Sequence, residues 1–169
     1  AGPDTTICQD GTATLSATAT DFDEVQWTKT GGSGSLVNAT SLNAQYVASP
    51  NDSGPIFLTV TVTPNDANGL PCGGSVTDQT IIFIEISPTA DAGPDSIICE
   101  GNNFTFDASE TSATNYDDFT WTTNGNGTFT NPSSLAPTYV PGTTDISAGE
   151  VTLRLTAAPN SPCAIPVIA

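Results

Sequence analysis

The residues of this chain that could do chemistry are its carboxylates and its four cysteines. Eighteen Asp and Glu face one Lys and one Arg, there is no His, and the net charge is −16. Without His, neither a Ser-His-Asp or Cys-His catalytic centre nor a His-ligated metal site can form. The charge excludes a nucleic-acid partner, which requires a cationic face. Carboxylate pairs suited to glycoside hydrolysis arise by chance in so acidic a chain, so we expect no enzyme and no cofactor.

Acidic loops could instead bind Ca²⁺, which prefers several carboxylate and carbonyl oxygens. Residues 21–24 and 117–118 lie in equivalent loops before a tryptophan-bearing strand, and two more aspartates lie near residue 92. A calcium ion there would stiffen a junction between domains, although the chain has no EF-hand spacing. The alternative is a solvated acidic surface that maintains solubility. The four candidate ligands are Asp91, Asp95, Asp117 and Asp118.

The chain contains an internal repeat. Residues 1–8 (Ala-Gly-Pro-Asp-Thr-Thr-Ile-Cys) return as residues 92–99 (Ala-Gly-Pro-Asp-Ser-Ile-Ile-Cys), and the Trp-Thr, Tyr-Val and Pro-Cys pairs recur in the same order. A period of roughly 90 residues suits one autonomous β-sandwich. We therefore predict a first domain at 1–87, a linker at 88–91 and a second domain at 92–169.

The cysteines follow the repeat. In each repeat 64 residues separate the two: Cys8 from Cys72, and Cys99 from Cys163. Of the three pairings that four cysteines allow, the repeat favours one disulfide in each domain, Cys8–Cys72 and Cys99–Cys163. Each would add about 4 kcal/mol of stability and would indicate an environment outside the cytosol. A Cys₄ zinc site would require closely spaced pairs, which are absent.

Short alternating apolar runs between Gly-, Asn- and Pro-rich turns predict an all-β protein. We find no segment with helical periodicity. We expect Trp27 and Trp121 to be buried, with Tyr46 and Tyr139 as packing residues, and Phe22 and Phe129 outside the core. The second repeat has no full counterpart of residues 75–86, so we expect an incomplete sandwich and a natural polypeptide that continues past Ala169. No apolar stretch is long enough to span a membrane, and no signal peptide is apparent.

Three segments together resemble PKD domains, which are Ig-like β-sandwiches: Ala-Asp-Ala-Gly-Pro-Asp at 90–95, Phe-Thr-Phe-Asp-Ala-Ser at 104–109 and Phe-Thr-Trp at 119–121. The runs 121–129 and 137–142 are similar to the cysteine-containing repeats of very large surface adhesins of Bacteroidota, including those of gliding motility. The resemblance implies two tandem antiparallel Ig-like sandwiches, the second truncated before its last strand.

The same resemblance implies a secreted stalk, exported by the type IX system and displayed on the cell surface. Its partners would be neighbouring repeats, other surface proteins or glycans, with no membrane insertion. Asp4-Thr5-Thr6 and Asp95-Ser96-Ile97 resemble the O-glycosylation signal of such proteins, which makes Thr5 and Ser96 candidate acceptors. The alternative function is an accessory PKD-like module of a secreted enzyme that degrades polysaccharide or protein.

Overall fold

The structure, a computed structural model, describes residues 1–65 and 73–169. The chain divides into two compact units, unit 1 (Ala1–Ile86) and unit 2 (Ser87–Ala169). Nearly all regular structure is β, as the alternating apolar pattern predicts. The predicted linker differs from the structure, because Thr89–Asp91 forms a strand that pairs with Ser112–Thr114 inside unit 2.

Unit 1 consists of two sheets. The first has the order β1-β7-β6-β3 and the second the order β2-β5-β4. All pairs are antiparallel except β1 with β7, which is parallel. The strands are β1 (Thr5–Cys8), β2 (Thr12–Ser16), β3 (Phe22–Thr30), β4 (Ser35–Val37), β5 (Asn43–Val47), β6 (Gly54–Pro64) and β7 (Val76–Glu85).

The core of unit 1 lies between these two sheets. Alternate residues of each strand point inward, as the period of two requires: β2 buries Ala13 and Leu15. Trp27 on β3 lies opposite Val60 on β6, and its indole Nε1 donates to the carbonyl of Ser41 at 3.0 Å. Both sheets contribute to one cluster of buried side chains, so unit 1 is a sandwich.

Unit 2 has shorter strands and three small sheets, ordered β11-β14-β15, β12-β13-β9 and β10-β8. Its elements are β8 (Thr89–Asp91), β9 (Phe104–Thr105), β10 (Ser112–Thr114), β11 (Tyr116–Thr123), β12 (Thr128–Thr130), β13 (Thr138–Val140), α1 (Thr143–Ala148), β14 (Leu153–Pro159) and β15 (Val167–Ile168).

Two expectations about unit 2 were wrong. Helix α1 exists but has only six residues, between Gly142 and a left-handed Gly149 at φ 77°, which is too short to produce a helical period. Phe129 packs against the core of unit 2, around Trp121, at a ring-centroid distance of 5.9 Å. In unit 1, Phe22 likewise packs against the core.

The two tryptophans are buried as predicted, with Trp27 1% and Trp121 5% exposed. The indole nitrogen of Trp121 donates to the carbonyl of Ser134 at 3.2 Å, which repeats the bond that Trp27 makes to Ser41. Among the described residues, no helix has the length and apolar character needed to cross a membrane.

Candidate functional site

Each unit contains a buried aspartate that receives hydrogen bonds from a tyrosine and from two loops. In unit 1 this Tyr–Asp cluster consists of Ser33, Gly34, Tyr46, Ser49 and Asp52. In unit 2 it consists of Asn126, Gly127, Tyr139, Gly142 and Asp145. The aspartate follows its tyrosine by six residues in both units.

In unit 1 the carboxylate of Asp52 is only 1% exposed and accepts bonds at both oxygens. The Tyr46 hydroxyl donates to Oδ2 at 2.5 Å, and the Ser49 amide donates to the same oxygen at 3.0 Å. Ser33 donates to Oδ1 from its amide at 2.5 Å and from its hydroxyl at 3.0 Å. The Gly34 amide lies between the two oxygens, at 3.3 and 3.2 Å.

Unit 2 repeats this arrangement. The Tyr139 hydroxyl donates to Oδ2 of Asp145 at 2.7 Å, and the amides of Gly127 and Gly142 donate to the same oxygen at 2.9 and 2.8 Å. The Asn126 amide donates to Oδ1 at 2.9 Å. Gly142 precedes helix α1 and Asp145 lies in its first turn, so the carboxylate also caps the helix.

These contacts set the protonation states of the cluster. Burial alone would raise the pKa of Asp52, but the hydrogen bonds from Tyr46, Ser49 and Ser33 outweigh it and hold that pKa well below its usual range. The bonds from Tyr139 and Gly142 likewise lower the pKa of Asp145, although burial opposes them.

The tyrosines shift in the opposite direction. Burial, reinforced by the hydrogen bond to the neighbouring carboxylate, raises the pKa of Tyr46 far above its ordinary value. Burial is also the main cause of the raised pKa of Tyr139. A neutral phenol that donates to an ionised carboxylate is therefore the stable form of both clusters at neutral pH.

Gly34 and Gly127 leave the space that the tyrosine hydroxyl occupies beside the loop. A Cβ on residue 34 would lie 2.6 Å from the Tyr46 hydroxyl and 2.8 Å from Oδ2 of Asp52. A Cβ on Gly127 would collide with the Tyr139 ring and hydroxyl. A side chain at either glycine would thus displace the phenol, which explains why Gly occupies both positions.

The Tyr–Asp cluster joins the two sheets of unit 1 at one end. Residues 31–34 connect β3 of the first sheet to β4 of the second, and residues 48–53 connect β5 of the second sheet to β6 of the first. Asp52 therefore fastens together the two chain segments that cross between the sheets. Because donors of the unit itself surround both carboxylate oxygens, the arrangement is suited to holding a fold together.

The cysteines differ from the predicted pairing. Cys8 and Cys163 are both disulfide-bonded, whereas Cys99 is a free, exposed thiol. The predicted Cys99–Cys163 pair is therefore not formed. Cys72, the predicted partner of Cys8, lies outside the described residues. Cys8 ends β1, which is held beside β7, but the segment that carries Cys99 forms no strand, so the two N-terminal cysteines have different surroundings.

The predicted calcium ligands are not assembled into a site. Among the described residues, no group of three or more Asp, Glu, His or Cys is arranged to bind a metal ion. Asp91 Oδ1 accepts the amide of Gly93 at 2.9 Å, and Asp118 Oδ1 accepts the amide of Phe119 at 2.8 Å. Asp91 thus caps the turn after β8, whereas Asp117 and Asp118 lie within β11 and not in the loop that the sequence predicts; Asp95 and Asp117 are exposed.

The predicted glycosylation acceptors are accessible. Thr5 is exposed on β1, and Ser96 is exposed in the irregular segment after Asp95. The Asp4 side chain before Thr5 accepts the amide of Ile81 at 2.8 Å, which fixes this part of the motif against β7. Exposure is a requirement for modification, and glycosylation at Thr5 and Ser96 remains a prediction.

Tyr46 and Asp52 have counterparts in the second repeat, but the sequence pattern predicts only a packing role for the tyrosines. Tyr46 and Tyr139 are buried, so the prediction of a packing role holds in part. Their hydroxyls in addition donate hydrogen bonds to Asp52 and Asp145. The signal for the cluster is the recurring Tyr-x₅-Asp spacing together with a Gly-x-Gly loop (32–34 and 125–127) in each repeat.

The chain matches no model of a known protein family, and no curated protein is significantly similar to it in sequence.

Proposed function

We propose that this chain is a structural repeat segment of a large secreted adhesin, made of two tandem Ig-like domains of the PKD type. The observation that carries the proposal is the Tyr–Asp cluster, which recurs in both units. In each unit a buried carboxylate with a lowered pKa is enclosed by donors of its own fold. The buried carboxylate of each unit thus connects separate chain segments. Such a connection is what a module that bears tension requires.

The physical role follows from where the cluster lies. Pulling on a sandwich shears its sheets and separates the loops that cross between them. A buried carboxylate with several charge-assisted hydrogen bonds resists that separation, because breaking one bond exposes the others only partly to water. Oxidised Cys8 and Cys163 add a covalent limit to extension and fit a location outside the cytosol.

The surface of the chain suits display at a cell surface. A net charge of −16 keeps a secreted chain soluble and discourages association between like-charged copies. The repeated aromatic residues, Trp27, Trp121, Tyr46 and Tyr139, are buried and so do not form the flat aromatic platform that binding to an insoluble polysaccharide would use. We therefore place no substrate-binding or catalytic role in these two units; adhesion and gliding belong to the assembled surface protein.

The decisive measurement is the size and location of the native polypeptide, released from intact cells and run without reduction. We expect a surface-exposed chain of several hundred kilodaltons in which such units recur. A parent below about 100 kDa that carries a catalytic domain would contradict the proposal and favour an accessory module.

A second test uses the chain itself. Single-molecule stretching of the chain with its disulfide reduced should give one unfolding event per unit, and Asp52→Ala should lower the unfolding force of unit 1 only. Asp23→Ala, which removes an exposed carboxylate from the same unit, is the matched control and should leave the force unchanged. Equal unfolding forces of unit 1 in Asp52→Ala and in the parent chain would contradict a mechanical role of the cluster.

A further inference from the structure

The loop of unit 2 that supplies amides to the Tyr–Asp cluster, residues 124–127, consists of two consecutive Asn-Gly sequences. A third Asn-Gly sequence, at 68–69, lies outside the described residues. Asn-Gly is especially prone to deamidation, because glycine has no side chain to obstruct a close approach to the asparagine. The corresponding loop of unit 1, residues 32–34, has serine between its two glycines.

Deamidation requires the backbone to attack the asparagine side chain. The amide nitrogen of the following glycine loses its proton and bonds to the asparagine Cγ, and the side-chain nitrogen leaves as ammonia. The five-membered succinimide that results takes up one water molecule and opens to aspartate or isoaspartate. The net reaction consumes water and releases ammonia. A contact that holds the glycine N–H or the asparagine side chain in place therefore slows the reaction.

Both reacting groups of the second Asn-Gly sequence are held in this way. The Gly127 amide donates to Oδ2 of Asp145 at 2.9 Å, and the Asn126 amide donates to Oδ1 at 2.9 Å. The side-chain oxygen of Asn126 accepts the amide of Thr144, in the first turn of helix α1, at 3.1 Å. The attacking nitrogen and the carbon that it would attack are thus fixed by separate contacts.

The charge of Asp145 opposes the same reaction. The attack passes through a deprotonated amide at Gly127, and a carboxylate oxygen 2.9 Å away disfavours that anion. Asp145 is 6% exposed, so water screens the repulsion little. Asn126 itself is exposed, so the water that the second step consumes is already at hand when the loop opens.

The first Asn-Gly sequence of the loop has different partners. The Gly125 amide donates to the hydroxyl of Thr123 at 3.0 Å, and the side-chain oxygen of Asn124 accepts the amide of Thr152 at 2.8 Å. The acceptor of this glycine amide is a neutral hydroxyl, whereas that of Gly127 is a carboxylate. Two Asn-Gly sequences in one loop thus differ in whether Asp145 holds the attacking nitrogen.

We propose that Asn126 is a deamidation site whose reaction is controlled by the Tyr–Asp cluster of unit 2. While Asp145 holds the amides of residues 126 and 127, the succinimide cannot form. The reaction proceeds through the fraction of molecules in which the cluster has opened, and such local opening has its own free energy, up to that of global unfolding. The deamidation rate of Asn126 therefore reports how often the cluster opens.

One product keeps the cluster open. Isoaspartate places one additional backbone carbon between the amide nitrogens of residues 126 and 127. The two amides then no longer match the two oxygens of Asp145, which each of them now meets at 2.9 Å. Each event thus removes hydrogen bonds from a buried carboxylate irreversibly, and unit 2 loses stability with age. The serine-containing loop of unit 1 is spared this reaction.

The test follows deamidation of the whole chain at mildly alkaline pH by peptide mass spectrometry, with fragmentation to distinguish Asn126 from Asn124. We expect Asp145→Ala to deamidate at Asn126 at least about ten times faster than the parent chain, the effect of roughly 1.4 kcal/mol of easier opening. Tyr139→Phe removes one bond to the same carboxylate and should give an intermediate rate. Asp95→Ala, which removes an exposed carboxylate of unit 2, is the matched control and should leave the rate unchanged.

Hydrogen exchange in β14 shows whether unit 2 remains folded in each variant. If Asp145→Ala unfolds the unit, Tyr139→Phe and Asp145→Asn decide the matter, since the second keeps an acceptor oxygen and removes the charge. In the folded variants the proposal requires a larger acceleration at Asn126 than at Asn124. Equal acceleration at the two would assign the effect to the loop as a whole and overturn the proposal.

Two further outcomes would also contradict it. Deamidation of Asn126 in the folded parent chain as fast as in the chain unfolded by guanidinium chloride would show that the cluster gives no protection. A slower reaction in Asp145→Asn than in the parent would show that the carboxylate promotes the attack as a base.

Discussion

Unit 1 and unit 2 contain the same Tyr–Asp cluster but differ in how much core surrounds it. The core cluster of unit 1 has twelve buried apolar residues, and that of unit 2 has three, Phe106, Trp121 and Leu155. Part of the difference follows from one element, because β7 buries Ile82 and Ile84 in unit 1, whereas unit 2 has only the two residues of β15 in the same register.

The comparison separates two contributions to the fold. The Tyr–Asp cluster is retained where the core is small, so its geometry depends on loops and hydrogen bonds and does not require a complete first sheet. The parallel pairing of the N-terminal strand does require it, since residues 96–99 are irregular where residues 5–8 form β1. We therefore expect unit 2 to unfold before unit 1 in denaturant.

The largest effect should come from Asp52→Ala, which would reverse or abolish that order of unfolding. It leaves a phenol and three backbone amides without acceptors in a buried site, at a cost of at least about 3 kcal/mol. Hydrogen exchange resolved by peptide, followed through a urea titration, assigns the loss to a unit. Asp23→Ala should shift unit 1 by less than about 0.5 kcal/mol. If both variants behaved alike, the cluster would have no special place in stability.

Removing only the phenol hydroxyl should have a smaller effect, of similar size in the two units. Tyr46→Phe and Tyr139→Phe each delete one hydrogen bond to a carboxylate, of 2.5 and 2.7 Å, worth about 1.5–3 kcal/mol. Denaturant midpoints of the single variants and of the double variant give both values. A loss confined to one unit would show that the two clusters are not energetically equivalent.

A methyl group at the loop glycine tests the close approach directly. Gly34→Ala should destabilise unit 1 by about 1–3 kcal/mol, because the added carbon overlaps the Tyr46 hydroxyl. Gly74→Ala is the control, since a Cβ added to Gly74 would meet nothing within 4 Å. Thermal unfolding of the two variants should differ by several degrees, and coincident curves would contradict the packing argument.

Acid should weaken both units through the same groups. The pKa values of Asp52 and Asp145 are lowered in the folded state, so the unfolded chain takes up protons first. Stability is therefore complete above the unfolded value of about 3.9 and falls as the pH drops below it toward the folded values. At high pH the tyrosines have the corresponding effect. Because their pKa values are raised in the folded state, the unfolded chain loses these protons first, and stability also falls above about pH 10. Asp52→Asn should flatten the acid limb of unit 1 alone in pH-dependent urea unfolding.

The smallest effect should come from Cys99→Ser. The thiol is free and exposed, so its replacement should change the stability of unit 2 by less than about 0.5 kcal/mol. Thiol labelling of the unfolded, unreduced chain, compared between this variant and the parent, checks that Cys99 contributes one reactive thiol. A large loss of stability would indicate that Cys99 is oxidised in the protein and would restore the pairing that the repeat predicts.

Much of the β framework could be predicted from the sequence, because alternation in a strand directly specifies which face is buried. Ala13 and Leu15 are buried as their spacing indicates, and so are both tryptophans. Helix α1 could not be predicted, since six residues between two glycines contain too few turns to show a period. The surface prediction for Phe22 and Phe129 was wrong. Strand β12 has only three residues in which to recognise the alternation, and a register shift between Phe22 and Glu24 takes Phe22 out of phase with Val25 and Trp27.

The candidate site could be predicted only in part. The recurrence of Tyr and Asp six residues apart is visible in the sequence. The sequence does not show that a Gly-x-Gly loop, more than ten residues before the tyrosine, supplies backbone amides that donate to the aspartate. Nor does equal cysteine spacing determine the pairing. Spacing is a property of the chain, whereas a disulfide requires two sulfur atoms to meet, and the segment of Cys99 has no strand beside it.

By itself the sequence determined the all-β class, the repetition and the exclusion of histidine chemistry, because composition and local periodicity need no long-range contacts. Only the tertiary structure decided that Asp52 and Asp145 are buried acceptors, that the calcium candidates remain apart, and that the Gly127 amide lies beside a carboxylate. Each of these depends on which distant segments meet, and that choice is made by packing and hydrogen bonding across the fold.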